Sequence, residues 1–122
     1  MPAESFPKTC HLRKSAEFDR VYAVDSYQAD GTLVINAAAN ERDVTRLGLS
    51  ISRKFGNAVV RNRWKRLIRE AFRRARANLP LGLDLVIRPK RGAQPVYAEI
   101  AASLPKLVAK LGKRLLKAGP PA

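Results

Sequence analysis

Residues 52–72 read SRKFGNAVVRNRWKRLIREAF, and this stretch decides the fold. Gly56 interrupts the chain, and Asn57 is a candidate N-cap for a helix over 57–78. Within that span Val60, Trp64, Leu67, Ile68, Ala71, Phe72 and Ala75 fall inside about 120° of arc at 3.6 residues per turn. Lys65, Arg66, Arg69, Arg73 and Arg76 line the opposite face, with Arg63 and Arg74 on one flank and Arg61 at the edge of the apolar arc. Pro80 and Gly82 stop the pattern. Such a helix buries one face against a partner layer and presents the other.

The flanking sequence supplies that layer. Upstream, residues 46–52 (RLGLSIS) alternate Leu47, Leu49 and Ile51 against Arg46, Gly48, Ser50 and Ser52, the period of a half-buried strand. Residues 32–39 (TLVINAAA) predict another strand and 40–43 a turn, while 25–31 read as a polar loop. Residues 15–24 predict a short helix, with Ser15 as N-cap, Glu17 and Asp19 in the first turn, and Phe18, Val21 and Tyr22 at helical spacing. Downstream, 83–88 (LDLVIR) predict a third strand. Residues 97–117 form an amphipathic helix carrying Ile100, Leu104, Leu107, Val108, Leu111 and Leu115 on one stripe, which Pro105 should bend or restart. The order helix-strand-strand-helix-strand-helix predicts an α+β fold, a small two-layer α/β sandwich. One domain spans 1–122, with a core over about 12–117, a flexible arm over 1–11 and a tail over 118–122.

Charge is concentrated where the fold is decided. The chain carries 24 Lys+Arg against 10 Asp+Glu, a net +14, and between Arg53 and Arg76 ten basic residues face a single acid, Glu70. Solvated helix faces usually mix signs at i,i+4, because like charges there repel. This face does not mix, so an anionic partner is the better explanation, and an arginine-rich one suits phosphate. A basic amphipathic helix can also lie on anionic membrane. Here the Trp64 and Phe72 face is needed to cover the sheet, so nucleic acid is the expected partner and membrane is not.

Other classes are excluded by counting. A single cysteine, Cys10, makes no internal disulfide, and Cys10 with the sole histidine, His11, is half a zinc site at best. Both are read as surface residues of the N-terminal arm. No His-based acid–base arrangement has a supporting motif, and no catalytic or metal-ligating residue is assigned. No apolar run approaches membrane-span length, and residues 1–9, with Pro2, Glu4 and Pro7, lack the apolar core of a signal peptide. The expected location is cytoplasmic.

The run from Ser52 to Glu70, with Gly56-Asn57-Ala58-Val59 leading into Arg61-Asn62-Arg63 and then Lys65-Arg66, closely resembles the signature of the protein subunit of bacterial ribonuclease P. The likeness extends from about Leu12 to Leu111. It takes in Leu12-Arg13-Lys14 with Glu17-Phe18 and Val21-Tyr22, Arg46 to Ser52, and Asp84 to Pro89. Asn36, standing where many members carry an aromatic, and Pro105 depart from the pattern, as do Phe55 and Trp64 in place of aliphatic residues.

The resemblance implies a sandwich with a left-handed βαβ crossover, against the usual preference. It implies a basic surface that binds the catalytic RNA: Arg53, Lys54, Asn57, Arg61, Asn62, Arg63, Lys65, Arg66, Arg69 and Arg73. It also implies a cleft for the 5′ leader of precursor tRNA formed by Arg13, Lys14, Phe18, Tyr22, Ser50 and Ser52. There Phe18 and Tyr22 could stack on unpaired bases, core packing being the competing role, and Arg13 and Lys14 would follow phosphates. The RNA would perform the chemistry with Mg²⁺ at its own active site; no cofactor bound by the protein alone and no obligate protein partner are implied. A ribosomal or other structural RNA-binding protein would share the charge and fold type without requiring a leader cleft. A stand-alone nuclease is a third reading.

Overall fold

The computed structural model describes residues 10–116. In chain order its elements are α1 (Ser15–Val24), β1 (Tyr27–Ala29), β2 (Leu33–Ala39), β3 (Arg46–Leu49), α2 (Ala58–Ala75), β4 (Leu83–Pro89) and α3 (Tyr97–Leu115). Single 3₁₀ turns at Arg53–Phe55 and Arg76–Asn78 bracket α2. The strands form one mixed sheet in the order β1-β2-β4-β3; β2 pairs antiparallel with both neighbours and β3 runs parallel to β4. The α+β sandwich expected from the sequence is present.

Side-chain alternation decides what each face of the sheet meets. Leu33, Ile35 and Ala37 of β2, Leu47 of β3 and Leu83, Leu85 and Ile87 of β4 point to one side, where they pack with Trp64, Ile68 and Phe72 of α2 and with Ile100, Leu104 and Leu107 of α3. This is the main core, and it consumes the apolar stripe of α2. On the other side Ala38 and Val86 join Leu12, Val21 and the half-buried Phe18 beneath α1, a smaller cluster covering only part of that face. No helix among the described residues is long and apolar enough to cross a membrane.

Several boundaries differ from the sequence reading. The stretch read as a polar loop over 25–31 contains β1, so the order gains a strand. Tyr27–Ala29 pairs with Val34–Asn36, and three residues with one half-buried side chain give no usable periodicity. Helix α1 has the expected span, but its N-cap is Lys14 rather than Ser15, and Glu17 Oε1 accepts from the Arg13 and Lys14 N–H groups. Strand β3 stops at Leu49, although the Ser50 N–H still reaches Ile87 O at 3.0 Å. Helix α3 runs unbroken through Pro105, because Leu104, Leu107 and Val108 on either side are held in the core. Cys10 and His11 are not on an exposed arm: Cys10 is fully buried, and His11 bridges to Leu47, followed by a Leu12 N–H to Leu47 O bond of 2.9 Å. Packing against the sheet therefore includes Cys10 and His11, which the sequence reading places on the arm, and residues 1–9 and 117–122 lie outside the described residues.

Candidate RNA interface

The basic helix is set in place by its start. Asn57 caps it as predicted, Oδ1 accepting from the Val60 N–H at 3.0 Å. The preceding Gly56 has φ +127, a left-handed conformation in which an added Cβ would sit 3.0 Å from Val60 Cβ, so glycine is required there. Arg53 and Lys54 are exposed on the 3₁₀ turn before the cap. Trp64, Ile68, Ala71 and Phe72 face the core, which leaves Asn62, Arg63, Arg66 and Arg69 exposed and Lys65 half-buried.

Two of the expected contacts are already committed within the protein. Arg61 Nε donates to Gly56 O at 3.2 Å, tying the first helical turn to the loop. Glu70 takes Arg73 through Nε at 3.1 Å and Nη2 at 2.6 Å, and also takes Arg74 Nε at 2.6 Å. Those two arginines hold the Glu70 carboxyl below the usual carboxylate range. The charge ladder expected to run unrelieved from Lys65 to Arg73 is thus relieved at its C-terminal end. No acid pairs with Arg63, Arg66 or Arg69 among the described residues, so the unneutralised positive face centres on the middle of α2.

The second surface is the part of the sheet that α1 leaves open. Phe18 is half-buried and packs on the small cluster; its ring occupies the space a Cβ at Gly48 would need, 2.7 Å from Phe18 Cζ. Tyr22, one turn further along α1, is 37% exposed. Packing therefore claims most of Phe18, and Tyr22 is the more available aromatic. Ser50, two residues beyond Gly48, is half-buried at the edge of this surface; Ser52 is exposed at the entry to the 3₁₀ turn, and Arg13 and Lys14 are exposed where the chain enters α1. The sequence reading missed two contributors. Arg88 of β4 donates through Nη1 to Asn36 Oδ1 at 3.0 Å, placing a guanidinium on this face, and Tyr27 of the unanticipated β1 lies directly opposite Asn36.

A buried charge cluster fixes α1 to the sheet. Asp84 of β4 is fully buried and receives Arg46 Nε at 2.8 Å, Arg46 Nη2 at 2.7 Å, Arg20 Nη2 at 2.5 Å and Asn40 Nδ2 at 2.8 Å. Arg46 reaches on to Glu17 Oε2 at 3.1 Å. Burial pushes the Asp84 carboxyl pKa up, but the hydrogen bonds from Arg46, Asn40 and Arg20 outweigh it and leave the group below its ordinary value. The Asp84–Arg46–Glu17 chain ends at the backbone of Arg13 and Lys14, so the cluster sets where those cations and Phe18 stand.

The two surfaces meet at the β3 edge. A pocket of about 170 Å³ there is lined by His11, Arg13 and Phe18 from one side and by Lys65 and Arg69 of α2 from the other. Burial, and then the charges of Arg69 and Arg13, lower the His11 pKa. A depression of about 430 Å³ between Lys54 and Phe55 brings in Arg91 and Gly92 of the β4–α3 loop, a contribution no spacing in the sequence announced.

Comparison with known proteins agrees with this geometry. The family model for ribonuclease P matches residues 6–112. The ribonuclease P protein component of Brevibacillus brevis is 44% identical over 89 residues, covering 72% of this chain and 71% of the relative. That of Lachnoclostridium phytofermentans is 40% identical over 110 residues, covering 89% and 94%. The structure of the Staphylococcus aureus RNase P protein superposes with a TM-score of 0.73 at 34% identity, over 88% of this chain and 99% of that one. With the Arg61-Asn62-Arg63 helix displayed on the matching fold, this chain belongs to the ribonuclease P protein component family, whose role is in tRNA processing.

Proposed function

We propose that this protein binds the catalytic RNA of ribonuclease P through the exposed face of α2 and receives the 5′ leader of precursor tRNA on the open part of the sheet beside α1. The observation that carries the reading is the division of the molecule into two differently built surfaces. Arg63, Arg66 and Arg69 stand on a rigid helix with no acid partner among the described residues, suited to a structured polyanion. The face beside α1 offers Tyr22, Arg13, Lys14 and Arg88 around a partly apolar floor, suited to an unpaired strand. In this reading the RNA cleaves the phosphodiester and Mg²⁺ is held by RNA phosphates. The protein neutralises and positions. Family membership favours this reading over a ribosomal or purely structural RNA-binding role.

The test is to mix the purified protein with its cognate ribonuclease P RNA and precursor tRNA at low Mg²⁺. Stimulated 5′ cleavage, with none by protein alone, is the expected result; cleavage by the protein alone would return the stand-alone nuclease reading. The two surfaces separate by mutation. Tyr22→Ala should reduce discrimination between precursor and mature tRNA while sparing affinity for the catalytic RNA, and Arg63→Ala should do the reverse. Equal losses in both assays for both variants would remove the division.

A further inference from the structure

We infer that Tyr27 is a second base-stacking residue, which extends the leader cleft across β2 onto the edge strand β1 and gives it a subsite for an unpaired nucleobase upstream of the one at Tyr22. This rests on the leader-cleft reading above and adds to it a site on a different element.

Three observations place the residue. Tyr22 and Tyr27 are the exposed aromatic side chains among the described residues, Tyr27 the more so at 54%. Both belong to the same face of the sheet. In the β1–β2 register Tyr27 stands opposite Asn36, and directly paired residues project to one side. Asn36 alternates with Ile35 and Ala37, which enter the main core, so its side is the one on which Ala38 and Val86 meet α1.

The floor between the two tyrosines explains why an aromatic is useful at the edge. Asn36 is only 6% exposed, and its side-chain oxygen is occupied by Arg88, so β2 itself offers no stacking surface at this level. Beside Asn36, Arg88 offers a guanidinium suited to phosphates, and Tyr27, opposite Asn36, offers a π-face on the same side of the sheet.

That ring is mounted on a fixed backbone. Arg114 of α3 donates through Nη1 to Ser26 Oγ at 3.2 Å and to Tyr27 O at 3.3 Å. The Ser26 carbonyl accepts from the Ala37 N–H at 3.0 Å. A half-exposed tyrosine held this way adds little to folding, whereas a preorganised ring stacks on any base with little ordering cost. The occupant is single-stranded RNA rather than a protein segment, because the side chain that reaches this face beside Asn36, that of Arg88, is cationic on a chain of net charge +14.

The experiment uses holoenzyme assembled from the full chain and its cognate ribonuclease P RNA, and measures Kd for mature tRNA and for precursor tRNAs with leaders of graded length. Tyr27→Ala should weaken binding of long-leader substrates on the order of tenfold and leave short-leader and mature tRNA as in wild type. Tyr27→Phe, which keeps the π-face, should restore the long-leader affinity. Wild-type affinity for every leader in Tyr27→Ala, an equal loss for mature tRNA, or failure of phenylalanine to rescue would each overturn the assignment. Tyr22→Ala is measured alongside. If it loses leader affinity while Tyr27→Ala does not, the extension alone is wrong; if neither variant loses any, the cleft reading itself falls.

Discussion

At the scale of single residues, Asp84 and Gly48 show how much of the binding surface depends on side chains that never touch RNA. Asp84 is sealed beneath α1 and satisfied by Arg46, Arg20 and Asn40. Removing its charge leaves a nearly buried guanidinium, that of Arg46 at only 11% exposed, with the more exposed Glu17 as its one remaining carboxylate partner among the described residues. Asp84→Asn should therefore cost about 3–5 kcal/mol of stability, the range for breaking a buried pair by deleting one partner. The pH dependence has a definite sign. A carboxyl whose folded pKa lies below its unfolded one contributes stability that is fully present above the unfolded value, near pH 4, and is lost as pH falls through the folded value. Wild type should lose stability on acidification below about pH 4, and the Asn variant should lose less over that window, as followed by denaturant titrations at stepped pH. Gly48→Ala tests the neighbouring packing. Its Cβ would meet Phe18 Cζ at 2.7 Å, so the ring must shift. We expect about 1–3 kcal/mol of destabilisation, together with a change in leader discrimination that an equally destabilising variant of the main core does not show.

At the scale of elements, what could be read from the sequence tracks how far each segment carries its own instructions. Helix α2 announces itself, because its cap, its apolar stripe and its basic face all lie within 57–76 and agree with one another. Strand β1 does not: it exists because β2 offers it an edge and Arg114 holds its backbone, both from distant sequence. With β1 went Tyr27, and the same kind of long-range dependence hid Arg88 and the burial of Cys10. The basic face was legible as a set but not as a hierarchy. Helical spacing makes Arg66, Arg69 and Arg73 equivalent, whereas the folded chain spends Glu70 on Arg73 and Arg74. This yields a ranked expectation for binding to the catalytic RNA. Arg66→Ala and Arg69→Ala should each reduce the slope of log K against log[salt] by roughly one, and Arg73→Ala by distinctly less, because a cation already paired with a carboxylate releases less counterion. Equal slopes for all three would show that Glu70 lets go of Arg73 in the complex.

At the scale of the whole molecule, the unresolved tension is between the fold and its charge. The core is of ordinary construction, with two helices filling one face of a four-stranded sheet, yet the chain holds +14 overall and ten of its cations between Arg53 and Arg76. Glu70 relieves one end of that segment, and Arg63, Arg66 and Arg69 are left to repel one another along α2. A domain has only about 5–15 kcal/mol to lose, so self-repulsion on this scale should leave the free protein easily melted at low ionic strength. Whatever binds only the folded chain raises its stability in proportion to occupancy. Simple screening acts through any salt of the same ionic strength, whereas arginines fixed on one helix face favour multivalent oxyanions that accept several charge-assisted hydrogen bonds. Millimolar sulfate or pyrophosphate should therefore raise the melting temperature well above that reached in sodium chloride of matched ionic strength, and Arg66→Ala or Arg69→Ala should narrow the gap. Coincident melting curves in the two salts would mean that the positive face is only screened, and that the order of its side chains is imposed by the RNA rather than present before it binds.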